Sequence, residues 1–155
     1  MHDITLLQLI DNDIAPTQEL LDLLNQESVA LRGRNMVLLE QILARKQSLI
    51  ILLEQHGQQR RQLLTSLGLS ADHAGVEAVA AQSTNGAVIL QQLAILSQLI
   101  DACQKVNVTN GNIIQVQQRS TANQIRILMG GDSPSLYDSR GATSLLAKPR
   151  ALSQV

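Results

Sequence analysis

The sequence contains no phenylalanine and no tryptophan, and Tyr137 is its single tyrosine. Sheets favour aromatic and β-branched side chains, whereas leucine, glutamine and alanine lose little rotamer freedom in a helix. Leucine accounts for 27 of the 155 residues. The composition therefore favours helices that pack through aliphatic side chains. The scarcity of aromatic residues, together with few basic ones, also argues against a nucleic-acid-binding surface.

Cysteine is almost absent as well. Cys103 is the only one, so no disulfide can form within the chain, and a lone thiol suits a reducing compartment. The first residues lack the basic and apolar regions of a signal peptide. The longest uninterrupted apolar run, Leu49 to Leu53, is five residues, whereas about 20 are needed to span a bilayer. The formal net charge is −1, and we expect a soluble, cytoplasmic protein that does not insert into a membrane.

The residue patterns of known catalytic and metal sites are missing. His2, His56 and His73 share no metal-binding spacing. Cys103 lies on an apolar helical ridge, where a thiol behaves as a small hydrophobic side chain. The Gly130–Gly131 pair lacks the preceding strand and the following lysine of a phosphate loop. We expect no enzymatic activity, no cofactor and no metal.

Two helical segments are predicted in the first 67 residues. Apolar residues of the first recur at helical spacing, at Ile4, Leu7, Ile14, Leu21, Leu24 and Leu31. Pro16 either kinks this helix or begins a second segment in it. Asn35 is an N-cap candidate for the next helix, and Gly68 is a candidate for its C-terminal end.

Charge predicts that these two helices pair in antiparallel orientation. Residues 1–31 carry six acidic side chains and no lysine or arginine, whereas residues 32–67 carry six basic ones and two acidic ones. A hairpin about Gly33 would place Asp22 near Arg45 or Lys46, and the acidic start of the first helix near Arg60 and Arg61. Each exposed pair is worth only ~0.2–1 kcal/mol, so buried leucine must supply the stability.

A third long helix is predicted from about residue 87 to residue 129, after a connection with at most a short helix around residues 76–81. At about 1.5 Å per residue it would be ~65 Å long, whereas the second helix would be only ~50 Å. It must therefore extend beyond the hairpin, bend, or break near Thr109–Gly111. A buried asparagine at this point would fix the register of the helix, whereas a break would explain the Asn-Gly pair equally well.

The fold class predicted is all-α, an antiparallel bundle of about three long helices, a coiled-coil-like hairpin plus a long third helix. Residues 1–129 form this helical bundle domain, and residues 130–155 form a flexible C-terminal tail that is rich in serine, glycine and proline. Apolar residues outnumber those that one face of each helix can bury. Some of them remain exposed for a partner helix, unless the third helix covers them all.

Three stretches resemble the FlgN family of flagellar type III export chaperones. The first two helices have its pattern of spaced leucines with a polar break. Asn107, Asn110 and Gly111 match its N-x-x-N-G motif, and Tyr137, Asp138 and Gly141 match its Y-D-x-x-G motif. The resemblance extends over nearly the whole chain, except residues 69–86 and the residues after Gly141.

The resemblance implies a cytoplasmic chaperone for the hook-associated proteins, which form the hook–filament junction. Such a chaperone binds the helical terminal segments of these proteins and delivers them to the cytoplasmic part of the flagellar export gate. By resemblance, the cargo-binding residues are Val116, Ile125, Leu128 and Met129. Gate docking is assigned in the same way to Tyr137, Asp138 and Gly141.

A structural or regulatory coiled-coil protein is the alternative. In that case the exposed leucine ridges would be covered by homo-oligomerisation.

Overall fold

The computed structural model describes residues 1–129, which form four helices and no strand. They are α1 (His2–Arg32), α2 (Met36–Ser66), α3 (His73–Ala81) and α4 (Gly86–Leu128). Three long helices and one short one confirm the predicted all-α bundle. The predicted tail lies outside the described residues, so the division into a bundle domain and a tail stays a prediction.

Helices α1 and α2 form an antiparallel hairpin, and α4 packs beside α1 in the parallel direction. The turn after α1 is closed by Asn35, whose side chain accepts a hydrogen bond from the Leu38 amide at 3.2 Å. The direction of α4 follows from four hydrogen bonds that advance together along both helices: Asp11–Gln92, Thr17–Cys103, Leu24–Asn110 and Leu31–Gln117. The chain therefore runs up, down and up again.

Local sequence sets most of the helix ends. Asn35 caps α2, as predicted, and α2 ends just before Gly68, which has a φ of +74° that other residues rarely adopt. Asp72 caps α3 by accepting hydrogen bonds from the Ala74 and Gly75 amides. The Ser70 hydroxyl first, and these amides next, hold the pKa of Asp72 below its usual value.

Pro16 neither breaks α1 nor starts a new segment, since one continuous helix extends from His2 to Arg32. The Thr17 hydroxyl donates a 2.6 Å hydrogen bond to the Asp13 carbonyl within this turn. The proline is tolerated because it removes a single backbone donor from a helix that is packed on two sides.

The core consists of two apolar clusters. One lies at the end of the bundle where α3 packs, and its buried residues are Leu6, Ile10, Leu64, Val76, Ala80, Ile89, Leu93 and Leu96. The other lies nearer the hairpin turn and contains Leu20, Leu24, Leu49, Ile50, Leu53 and Cys103. Fully burying one leucine or isoleucine side chain contributes about 1.5–3 kcal/mol, so these clusters dominate the stability.

The charged pairs of the hairpin confirm its antiparallel direction. Asp13, from the acidic first part of α1, pairs with Arg60 as expected, but the predicted partner of Arg45 and Lys46 is wrong. Arg45 pairs with Glu19 at 2.8 Å, and Lys46 pairs with Glu27 at 3.0 Å. Asp22, the predicted partner, is instead bound by the Gln18 amide on its own helix. At about 100° per residue, Asp22 lies roughly 140° around α1 from Glu27, and therefore points away from α2.

Helix α4 is continuous through residues 109–111 and extends beyond the hairpin. It has 43 residues, whereas α1 and α2 have 31 each. Gln117 donates to the Leu31 carbonyl, one residue before the end of α1. Residues 118–129 lie beyond this contact, and we call them the overhang. At about 1.5 Å per residue they add a length of ~16–18 Å.

Within the described residues, α4 is also the one helix that is long and apolar enough by composition to cross a membrane. Core helices of bundles pass the same test. The buried side chains of Ile89, Leu93 and Leu96 belong to the core cluster of this bundle, so packing within the chain accounts for part of its apolar composition; 28% of the apolar stretch is buried.

Candidate partner-binding surface

The ridge of α4 that faces the core continues past the end of its intramolecular partners. Leu96, Cys103 and Asn110 on this ridge are at most 1% exposed. Five turns beyond Asn110 the same side of the helix carries Leu128, which is 84% exposed, with the half-buried Ile125 about 60° beside it. Exposure rises here because α1 and α2 end at the hairpin turn while α4 does not. The overhang therefore presents a core-like ridge without a core.

The four predicted cargo-binding residues do not share one face. Nine residues separate Val116 from Ile125, which is two and a half turns, so the two side chains point in opposite directions. Ile125, Leu128 and Met129 form what we call the inner face of the overhang. Val116, which is 62% exposed, aligns instead with Ile127, which is 74% exposed, and we call these two the outer pair.

The Asn-Gly motif lies inside α4 and is buried. Asn110 is 1% exposed, and its amide nitrogen donates to the Leu24 carbonyl at 2.9 Å and to a Glu27 carboxylate oxygen at 2.8 Å. The Ser28 hydroxyl donates to its amide oxygen. Of the two possibilities, the structure shows the buried asparagine in an unbroken helix. Gly111 is buried beside it, and Asn107 is half-buried.

Glu27 extends this polar contact across all three long helices. It is 8% exposed and accepts from Asn110 on α4 and from the Lys46 ammonium on α2. A hydrogen-bonded polar group in an apolar seam disfavours every register in which it would be buried without partners. The polar layer formed by Asn110, Glu27 and Lys46 fixes the register of α4 along the hairpin. It thereby determines which residues of α4 extend beyond the hairpin as the overhang.

A second polar cluster is buried deeper in the bundle. Asp13 and Arg60 are each 1% exposed and form an ion pair, and His56 Nδ1 lies 2.5 Å from Asp13. Burial, and then the neighbouring Arg61, lowers the pKa of the Arg60 guanidinium to about 10. Arg60 is still charged at neutral pH, so it compensates the buried carboxylate.

This buried cluster was not predicted from the sequence. A signal was present. Asp13 and Thr17 occupy core spacing between Ile10 and Leu20, and Arg60 does so between Leu53 and Leu64. A charged residue on each facing ridge indicates a buried pair.

The cavity beside this cluster is too small for an organic ligand. Its volume of about 20 Å³ is room for about one water molecule. The polar and thiol groups among its lining residues belong to Asp13, Thr17, Arg60 and Cys103. Burial, and then the charge of Asp22, raises the pKa of the Cys103 thiol to about 11, which makes it a poor nucleophile at neutral pH. Among residues 1–129, no group of three or more histidine, cysteine or acidic side chains could hold a metal ion.

The residues predicted to dock to the export gate, Tyr137, Asp138 and Gly141, lie outside the described residues. Their assignment continues to rest on the sequence motif alone.

Comparison with known proteins agrees with the motifs. The FlgN family model, described as "FlgN protein", matches residues 1–144. A crystal structure of a flagella synthesis protein FlgN from Pseudomonas aeruginosa is 36% identical, with a TM-score of 0.67. The match covers 80% of this chain and 95% of that one. No curated protein matched significantly. Because the family model spans most of the sequence and the structural match adds the same fold at substantial identity, the chain belongs to the FlgN family of flagellar proteins.

Proposed function

We propose that this protein is a cytoplasmic export chaperone for hook-associated flagellar proteins. It binds the helical terminal segments of these proteins and delivers them to the cytoplasmic part of the flagellar export gate. Membership of a non-enzymatic flagellar family supports this proposal. The observation that carries it is the ridge of α4, which continues with Ile125, Leu128 and Met129 after α1 and α2 have ended.

The inner face of the overhang is the proposed cargo site. Within the bundle, the same ridge buries its side chains against α1, with its register fixed by Asn110. A cargo helix lying along the overhang would occupy a position equivalent to that of α1 beside the preceding part of α4. Exposed apolar ridges of this kind are suited to bind an amphipathic helix. Covering the cargo's own apolar stripe in this way would prevent its premature assembly.

Gate docking is proposed for Tyr137, Asp138 and Gly141, on the Y-D-x-x-G motif alone. A tyrosine offers a large contact area on few rotatable bonds, and therefore makes a good anchor. Its separation in sequence from the cargo site would allow cargo and gate to be bound together.

The proposal is tested by titrating fluorescent terminal segments of hook-associated proteins with the full-length protein. We expect Ile125→Glu and Leu128→Glu each to weaken binding by about 1.5–3 kcal/mol, since each places a charge in an apolar contact. Val108→Glu is the matched control, because Val108 is an exposed apolar residue of the same helix below the overhang. Tyr137→Ala should retain full cargo affinity. Unchanged affinity in both overhang variants would contradict the proposed site.

Homo-oligomerisation remains the second candidate, and exposed apolar residues near the hairpin turn favour it. Met36 and Val37 are 64% and 69% exposed at the start of α2. Light scattering after size exclusion separates the two functions. A stable dimer or tetramer that Leu128→Glu dissociates would favour the oligomer, whereas a monomer would favour the chaperone.

A further inference from the structure

The overhang is positively charged and contains no carboxylate. Arg119 and Arg126 are exposed, and no acidic residue occurs between Asp101 and the end of α4. One nitrogen of Arg126 donates to the neutral amide of Asn123 at 2.7 Å. Within residues 1–129, neither arginine forms an ion pair. No carboxylate of residues 1–129 therefore compensates either charge.

The two arginines lie beyond the Met129 edge of the inner face: at about 100° per residue they project roughly 60–80° from Met129 and roughly 160–180° from Leu128. They are seven residues apart, so they project within about 20° of each other and are separated by ~10 Å along the helix. The other border of the inner face carries Gln117 and Gln124, which have the same spacing and no charge. A helix that binds along the inner face therefore has the positive charge beyond its Met129 edge and uncharged glutamines beside Leu128.

Elsewhere this chain places opposite charges together where its helices meet. Glu19 faces Arg45, Glu27 faces Lys46 and Asp13 faces Arg60 across the α1–α2 contact. Two overhangs paired symmetrically would instead bring four arginines together without any carboxylate from residues 102–129. Like charges across an interface are unfavourable, so a second copy is a poor occupant of this surface.

We propose that the overhang selects an amphipathic partner helix whose apolar stripe is bordered by acidic residues, placed to meet Arg119 and Arg126. This inference rests on the proposed function and adds the chemistry of the partner to it. The apolar ridge supplies the affinity, and the two arginines discriminate among helices with similar apolar stripes.

The test uses three synthetic helical peptides with one leucine heptad pattern and either glutamate, glutamine or lysine on the flanking positions. Fluorescence anisotropy with the full-length protein at low salt should rank them glutamate, glutamine, lysine. The affinities of the glutamate and lysine peptides should differ by about tenfold, since each exposed ion pair changes an affinity only a few-fold. Added salt should reduce the difference.

The double variant Arg119→Glu/Arg126→Glu should reverse this ranking. Lys105→Glu is the matched control, because Lys105 is an exposed cation of the same helix below the overhang, and it should preserve the ranking. Equal affinity for all three peptides, or a ranking that the double variant leaves intact, would overturn the inference. A dimer of this protein that Leu128→Glu dissociates would also overturn the inference.

Binding experiments with terminal segments of hook-associated proteins distinguish failure of this inference from failure of the proposed function. If terminal segments of hook-associated proteins bind, and Leu128→Glu weakens them while the double arginine variant does not, the chaperone proposal stands and the charge inference fails. If those segments do not bind but the glutamate peptide does, with the predicted dependence on both arginines, the inference stands and the proposed cargo is wrong.

Discussion

At the scale of single residues, Asn110 occupies a position where leucine would otherwise pack. Its amide makes hydrogen bonds to the Leu24 carbonyl, the Glu27 carboxylate and the Ser28 hydroxyl, so no polar atom of its side chain is left without a partner. A satisfied polar group adds little stability over an apolar one, but it strongly penalises other registers. We therefore assign Asn110 a positioning role in the bundle.

Asn110→Ala should lower the free energy of unfolding by about 1–3 kcal/mol, because it removes a hydrogen bond to a charged group and leaves a small cavity. Urea denaturation followed by circular dichroism measures the change. Asn112→Ala is the control: Asn112 is exposed two residues further along α4, and its replacement should cost no more than about 0.5 kcal/mol. Equal effects of the two variants would contradict the role of the buried amide.

The Asp13–Arg60 pair should behave as a unit. Arg60→Met leaves the Asp13 carboxylate buried without its cationic partner and next to His56, and we expect a loss of about 3–5 kcal/mol. The double variant Asp13→Leu/Arg60→Met should be less destabilised than Arg60→Met alone, because no buried charge remains. Arg45→Met, which breaks the exposed pair with Glu19, should have a much smaller effect. Urea denaturation of these three variants, of the single variant Asp13→Leu and of the unsubstituted protein measures the effects, and additive effects of the two buried substitutions would refute the account.

At the scale of the elements, α4 combines two parts with different stabilisation. Its first part is held by the core clusters and the Asn110 layer. The overhang has no such support, and it stays helical because extending a helix that is already formed avoids the cost of nucleation. Its side chains are exposed or half-buried throughout. The overhang should therefore be separable from the folding of the bundle.

Ending the chain after Gln118 should change the free energy of unfolding by less than about 1 kcal/mol, since the removed part of α4 has no buried residue. Ending it after Gly111 should cost clearly more, because the half-buried Ile113 and Ile114 and the hydrogen bond from Gln117 to Leu31 are also lost. Thermal and urea denaturation measure both. A large loss for the longer truncation product would mean that the chain covers its own overhang.

Local signals in the sequence predicted the elements well. Leucine periodicity identified three long helices, Asn35 and Gly68 marked the ends of α2, and the charge of residues 1–31 against residues 32–67 indicated the antiparallel hairpin. The contact of Arg60 with the acidic start of α1 was predicted correctly. Asp22 was the wrong partner for Arg45 and Lys46, because that pairing depends on how α1 is rotated about its axis. The continuity of α4 through Asn110 could not be predicted, since its hydrogen-bond partners lie more than 80 residues away in sequence.

The sequence prediction did not separate the candidate cargo-binding residues by helix face. Ile125, Leu128 and Met129 lie on one exposed face, whereas Val116 lies on the opposite face. Helical spacing already contains this distinction, but the family resemblance from which the four residues were taken does not. The importance of residues 118–129 follows from the relative lengths of α1 and α4, which became known only once both helices were placed side by side.

At the scale of the whole molecule, the candidate site arises from a difference in helix length. Two helices of 31 residues and one of 43 residues share a core, and the polar layer at Glu27 and Asn110 sets where the longer helix emerges. The surface offered to a partner is then the unburied continuation of the core ridge. Its shape is prepared before any partner arrives, which lowers the entropic cost of binding.

Hydrogen–deuterium exchange, with and without a terminal segment of a hook-associated protein, tests this most directly. In the free protein, amides of residues 119–128 should exchange fast and those of residues 89–110 slowly. Adding the segment should slow exchange in residues 119–128 and leave the α1–α2 hairpin unchanged. An overhang that is already as protected as the core in the free protein, or protection that appears only on the hairpin, would contradict the account.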